Sequence, residues 1–365
     1  PDGKYNYPAF IFDVTLGVAW GVRLFDAVVL ERSFDMARHR SAGGTPGANP
    51  DRRAVLLLAR AICFLISMLA GLWLLWGLHV VDPQCAALAA LFYATSWELF
   101  YHSRYLAPDT VMAQFVSGAL ACWTRYSLGG RQYRHLLASA VALGAAASTK
   151  YTAAILSPFL LGLGLQEGWL GLRAGASLSR SLGRALLPLE LAAAVFIAIT
   201  PGAVLETEQM FGWISFVGSH YSRSHGPAFG VTPYDVEIGW PYLEKLFLYL
   251  TASVPSTSKH GCAVFFLCVC AGIACFVAQR QWTLLLLWLA PLLLLGAAFL
   301  AGFRVFIVRN FLHLFPFACC IAAFGATQFL RRAPTGARRV AAVALALLIA
   351  LDLGFILRQN LQIFE

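Results

Sequence analysis

Long apolar runs follow one another along most of this chain, parted by short polar links. Ala54–Val80 is the first strong run, and Cys85–Tyr101 follows a turn at Asp82-Pro83. Next come Thr110–Tyr126, then two shorter runs, Leu136–Ser148 and Ala153–Leu165, which flank Thr149-Lys150-Tyr151. Ala185–Val204 precedes a long polar stretch, Glu206–Lys245, and a half-length apolar piece, Leu246–Val254. Cys262–Ala278, Thr283–Ala301, Phe311–Leu330 and Val340–Leu357 complete the series. A bilayer crossing takes roughly 20 apolar residues. Inside lipid every backbone polar group must be satisfied within the segment, so continuous apolar runs predict helices. The pattern predicts an all-α, polytopic integral membrane protein: a transmembrane helix bundle with external juxtamembrane helices.

The same pattern orders the chain. Residues 1–365 read as one membrane domain, with 1–53 as an external juxtamembrane region and 54–204 as core spans. Residues 205–261 read as an external loop region and 262–358 as the C-terminal spans. Within the first region, Ala9–Leu30 carries Asp13, Arg23 and Asp26 and reads as an interfacial helix that does not cross. Arginines set the orientation, because cytoplasmic links carry an excess of Lys and Arg. Gly129–Arg134, Glu167–Arg184, Gln279–Gln281 and Arg331–Arg339 fall on one side if the spans alternate, and that side reads as cytoplasmic. Ser103–Asp109, Glu206–Lys245 and Arg304–Asn310 then share the opposite face.

Composition sharpens this. The chain is 59% hydrophobic and 12% charged, with a mean hydropathy of +0.69, which leaves no soluble core. A formal charge of +9 placed in inter-span links does not point to nucleic acid. The nine cysteines show neither metal nor disulfide spacing. They read as small buried hydrophobes, and no metal is expected. No secretory signal is visible. The chain opens at Pro1 in a polar stretch, and a further N-terminal segment is expected before it.

Candidate chemistry begins at Ser103-Arg104-Tyr105-Leu106-Ala107-Pro108-Asp109. Pro108 suits a first helical position, where its missing N–H needs no partner. Asp109 then falls in the first turn, where the helix dipole favours a carboxylate. It reads as an acid held at the mouth of a membrane cavity.

Four motifs carry a family resemblance. Tyr7-Pro8 before an apolar run resembles the YPP segment of polyprenyl-phosphate-sugar-dependent glycosyltransferases of the GT-C fold, with Ala9 in place of the second proline. Ser103–Asp109 resembles their second external loop. Ser148–Leu161 (STKYTAAILSPFLL) is similar to their TKY/TKG break, and Arg309–Phe317 (RNFLHLFPF) to their RYLLPLLP segment. Order and spacing fit over nearly the whole chain. The nearest groups are RgtA/B/C/D-like, protein O-mannosyltransferase-like and aminoarabinose-transferase-like enzymes.

The resemblance implies a membrane glycosyltransferase that moves a sugar from a polyprenyl-phosphate-linked donor. The acceptor, a lipid, glycan or protein, would be met on the non-cytoplasmic face, and a bacterial inner membrane is the expected setting. No cofactor is implied, since the lipid-linked sugar phosphate is a substrate. The family's first-loop acidic motif, the expected base, has no counterpart here and is expected upstream of Pro1. Asp109 is the remaining catalytic acid, orienting donor or acceptor. A leaving phosphate is stabilised by preorganised cations in a low-dielectric site. Lys150, Arg309, Arg104, Arg304 and Lys4 are the candidates, and Lys150, between two short apolar runs, is the sharpest. Tyr7, Tyr105, Tyr151, His220 and His225 are candidate acceptor or sugar contacts. Trp213, Trp240, Tyr242 and Tyr249 read first as interfacial aromatics. A secondary transporter or an O-antigen ligase/polymerase-like protein is the alternative. One broken helix without a matching partner, and one arginine (Arg223) in the long external stretch, count against these.

Overall fold

A computed structural model of the chain describes residues 50–103, 108–222, 237, 239–251, 259–300 and 308–364. Every regular element among them is helical. In chain order these are α1 (Pro50–Leu78), α2 (Pro83–Ala94), α3 (Trp97–Ser103), α4 (Pro108–Leu128) and α5 (Tyr133–Thr149). A 3₁₀ turn, Tyr151–Leu156, leads into α6 (Ser157–Arg173), then α7 (Leu178–Ile199), a single turn Gly202–Leu205, and α8 (Thr207–Ser222). α9 (Trp240–Thr251), α10 (Lys259–Ala278), α11 (282–300), a 3₁₀ segment Val308–Leu314, α12 (Phe315–Arg332) and α13 (Thr335–Phe364) follow.

Four helical stretches among the described residues are long and apolar enough to cross a membrane: Leu57–Leu78, Tyr151–Arg173, Leu178–Ile199 and Arg309–Arg332. They differ in what surrounds them. α1 and α7 leave rows of leucines exposed, among them Leu65, Leu72, Leu178 and Leu182, as faces turned to lipid do. The stretch Arg309–Arg332 is enclosed by protein over its whole apolar window. α12 therefore stands at the centre of the bundle, packed against α10 and α2, with α4 beside it.

α4 is the second central element. It packs against α1, α5 and the 3₁₀ segment before α12. Buried along it among apolar residues are the polar side chains of Asp109, Thr110, Gln114, Ser117 and Thr124. Neighbours hold two of these by hydrogen bonds at different depths. The Ser67 hydroxyl of α1 donates to Thr110 Oγ1 at 3.0 Å. Near the other end, Trp288 Nε1 of α11 donates to Thr124 Oγ1 at 3.1 Å. Trp288 lies in the π-helical stretch Leu285–Leu289. Pro291 follows directly, and its ring cannot accept a regular α-turn against the carbonyl four residues back, which accounts for the local widening.

Small residues bring the helices together. Without a hydrophobic drive between apolar helices in lipid, close backbone approach supplies the dispersion contact. A Cβ on Gly325 of α12 would stand 2.1 Å from the Cys268 carbonyl oxygen of α10, and one on Gly272 would stand 2.2 Å from that of Ile321.

The arginine-bearing links gather at one end. There Arg331 pairs with Asp82, and the same Asp82 caps α2 by accepting from the backbone N–H of Gln84 and Cys85. Tyr126 donates to Glu167 at 2.8 Å, and Arg184 reaches Glu167 at 3.7 Å. Arg125 lies over the Trp76 ring at 4.2 Å. α4 is about 30 Å long at 1.5 Å per residue, so its first turn sits at the far end from these contacts.

Three expectations are corrected. Cys85–Tyr101 is not one span: α2 ends at Ala94, capped by Thr95, and α3 restarts at Trp97. At this C-cap the Thr95 hydroxyl donates to the Leu91 carbonyl at 2.8 Å. Ala153–Leu165 is no short run, because the helix continues to Arg173 and makes Tyr151–Arg173 long enough to cross. Tyr242 is not interfacial. It is fully buried, its ring 6.2 Å from and nearly edge-on to Phe311. Within Glu206–Lys245, helix α8 and the start of α9 give the polar stretch regular structure.

Candidate functional site

Pro108 opens α4 and places Asp109 in its first turn. Against expectation, that carboxylate is not at an open mouth: its side chain is 1% exposed. Its position across the bundle is met by Lys150. α5 ends at Thr149, Lys150 takes an extended backbone (φ −159°, ψ 128°), and the chain resumes helically at Tyr151. The break turns Lys150 out of the helical register, so its side chain crosses to α4.

The Lys150 ammonium donates to Asp109 Oδ1 at 2.5 Å and to Asn310 Oδ1 at 2.7 Å. The lysine side chain is 17% exposed. Three separate parts of the chain thus converge on one cation: the start of α4, the α5–α6 break, and the 3₁₀ segment that leads into α12. The remaining carboxylate oxygen, Asp109 Oδ2, is buried and accepts no hydrogen bond among the described residues.

Arg309 neighbours Asn310 and is half-buried. No ion-pair partner for it is found among the described residues. His313 follows one 3₁₀ turn after Asn310 and is fully buried. Among the described residues both its ring nitrogens lack a hydrogen-bond partner, and it lies within electrostatic reach of both Lys150 and Asp109. Tyr151 turns the other way, its ring 6.2 Å from Phe196 of α7 and its buried hydroxyl unpartnered. His220 belongs to α8, and its side chain lies outside the described residues. Lys4, Tyr7, Arg104, Tyr105, His225 and Arg304 also lie outside them.

Two of the expected site residues, Asp109 and Lys150, therefore touch, and a third, Arg309, adjoins their partner. Asn310 and His313 were not singled out from sequence. A signal existed: polar residues at 310 and 313 in an otherwise apolar run are three apart, a spacing that puts both on one face of a helical turn. Charge sets what the cluster can do. Asp109 and Lys150 cancel, so the pair alone does not neutralise a phosphate. An ammonium has three N–H donors; two are committed, and the third can meet an anion's oxygen. Arg309, the next residue to Asn310, is the nearest further cation in the sequence.

Comparison with known proteins agrees in part. Residues 51–179, about a third of the chain, match the family described as dolichyl-phosphate-mannose-protein mannosyltransferase. Among solved structures, the chain is similar to the crystal structure of ArnT from Cupriavidus metallidurans bound to undecaprenyl phosphate. The TM-score is 0.55 at 14% sequence identity, covering 95% of this chain and 54% of that one. The chain spans about half the length of that protein. No curated protein matches the chain. The helical bundle is thus a GT-C-type membrane fold.

Proposed function

We propose that this chain is a membrane glycosyltransferase that takes its sugar from a polyprenyl-phosphate-linked donor. The observation that carries this is the buried Lys150 ammonium, fixed between Asp109 and Asn310, in a bundle of the GT-C type. The family match over residues 51–179 and the neighbour's bound undecaprenyl phosphate support the donor class.

As the acceptor attacks the anomeric carbon, the bond to the lipid phosphate breaks and negative charge grows on the departing oxygen. Lys150 offers its third N–H to that phosphate, and Arg309 supplies the balancing charge. Both act in a site where protein rather than water surrounds the charge, so each contact is worth more than in solution. The charge of Asp109 is already engaged by Lys150, which suits orienting the ammonium rather than taking the acceptor's proton. Asn310 fixes the lysine from the other side at no cost in charge. The site faces the non-cytoplasmic side, because it lies at the bundle end away from the arginine-bearing links, and the membrane is the bacterial inner membrane. The acceptor is a lipid, glycan or protein, and the transferred group a hexose or pentose.

Full-length protein in vesicles with a radiolabelled polyprenyl-phosphate sugar tests this. Transfer should fall at least 100-fold in Lys150→Gln, with undecaprenyl phosphate binding weakened at least tenfold. Equal binding by wild type and Lys150→Gln would remove the phosphate role and the functional proposal with it.

A further inference from the structure

His313 is an anomaly in the packing. It is fully buried, yet among the described residues neither Nδ1 nor Nε2 has a hydrogen-bond partner. Leaving buried polar atoms unmade is costly, and native structures show few of them. A neutral imidazole carries one donor and one acceptor, so two complementary groups must be sought nearby. One acceptor stands out: Asp109 Oδ2, also buried and also unpartnered.

The segment's helical type brings the two together. In a 3₁₀ helix, residues three apart eclipse one another. Asn310 and His313 therefore share one face of Val308–Leu314. Asn310 uses that face to accept from Lys150, which places His313 on the side that also looks towards Asp109. The imidazole feels the charges of both Lys150 and Asp109. No direct bond joins it to either. The 3₁₀ segment packs against α4, which carries Asp109, and a single buried water is stable where it meets two to four polar partners.

We propose that His313 is a positioning residue for the phosphate-binding lysine. Through one bridging water its ring N–H reaches Asp109 Oδ2. That holds the carboxylate in the rotamer whose Oδ1 aims the Lys150 ammonium. The inference rests on the functional proposal above, since it assigns His313 to the site where the donor phosphate is met. It also explains why a histidine is retained in the most enclosed helical stretch of the bundle: an apolar residue there would free one carboxylate oxygen to rotate.

Undecaprenyl phosphate binding to the full chain in detergent, measured with thermal stability, tests it. The variants are His313→Leu, His313→Gln, Lys150→Gln and the double variant His313→Leu/Lys150→Gln. His313→Leu should weaken binding about tenfold while the protein still unfolds in one cooperative thermal transition. His313→Gln, which keeps a donor and an acceptor, should bind within threefold of wild type. In the Lys150→Gln background, His313→Leu should add nothing. Binding by His313→Leu within threefold of wild type overturns the inference and leaves the lysine's role intact. So does a full tenfold further loss in the double variant, which would show His313 acting independently of Lys150. If wild type and Lys150→Gln bind alike, the functional proposal fails, and the inference with it.

Discussion

A lysine surrounded by apolar residues is expensive to keep charged unless its hydrogens are claimed. Lys150 is held by one carboxylate and one amide oxygen, and removing either changes the balance in a different way. Asp109→Asn leaves the shape but strands a largely buried cation. Breaking one side of a buried pair costs about 3–5 kcal/mol, and a clear fall in Tm is expected in detergent. Asn310→Asp keeps the oxygen but adds a second negative charge beside one ammonium, and undecaprenyl phosphate binding should weaken while Tm holds. Lys150→Arg should not restore binding, because a planar guanidinium cannot point its N–H groups at two oxygens in the way a tetrahedral ammonium does. Asp109 and Lys150 could be picked out from sequence because a charge within an apolar run is conspicuous. Asn310 and His313 could not. Hydropathy starts the last central span at Phe311, which leaves Asn310 in a link and dissolves His313 among Phe and Leu. Their spacing of three hints at a shared face, but it is the 3₁₀ segment Val308–Leu314 that aligns the two side chains.

At the scale of elements, contacts between helices rest on backbone proximity more than on side-chain bulk. Gly325 meets the Cys268 carbonyl so closely that even a methyl group would force α10 and α12 apart. Gly325→Ala should lower Tm markedly, whereas Gly183→Ala, with open space around it, should leave it unchanged. Scanning fluorimetry of the two variants side by side checks this. Trp288→Phe keeps most of the ring but loses the bond to Thr124, at a cost of about 1 kcal/mol. The run-and-link pattern of the sequence placed α1, α4, α10, α12 and the break at Lys150 close to where they stand, but it set α7 at Ala185–Val204, whereas the helix runs Leu178–Ile199 and takes in Arg180 and Arg184. The pattern failed at Thr95-Ser96, since hydroxyl residues pass unnoticed in an apolar average, whereas the chain leaves the helix there with Thr95 as the C-cap. It also cut α6 short, because Gln166 and Glu167 read as the start of a link. In the structure Glu167 is held inside by Tyr126.

For the molecule as a whole, the two ends of the bundle are chemically distinct. One is bound by Asp82–Arg331 and Tyr126–Glu167–Arg184; the other holds Asp109, Lys150 and Asn310. Cysteines introduced at Ala176 and Gly336 should react with a membrane-impermeant maleimide only after the cells are opened, and one at Glu208 should react in intact cells. Labelling of all three from the same side would overturn the orientation. The central position of α12 also bears on how the protein is made. Lys150 and Asp109 are 41 residues apart, but Asn310 trails Lys150 by 160. At 5–20 residues per second, synthesis leaves roughly 8–30 s between the two arrivals. Throughout that interval the flank of α4 that α12 will cover has no protein against it, and the acid–base pair waits half-clothed in the bilayer. The last piece of the cluster is thus delivered by a segment that enters against a surface already built, so a ribosome stalled before residue 308 would leave a nascent chain with Asp109 and Lys150 paired and the lysine's contact with Asn310 unmade.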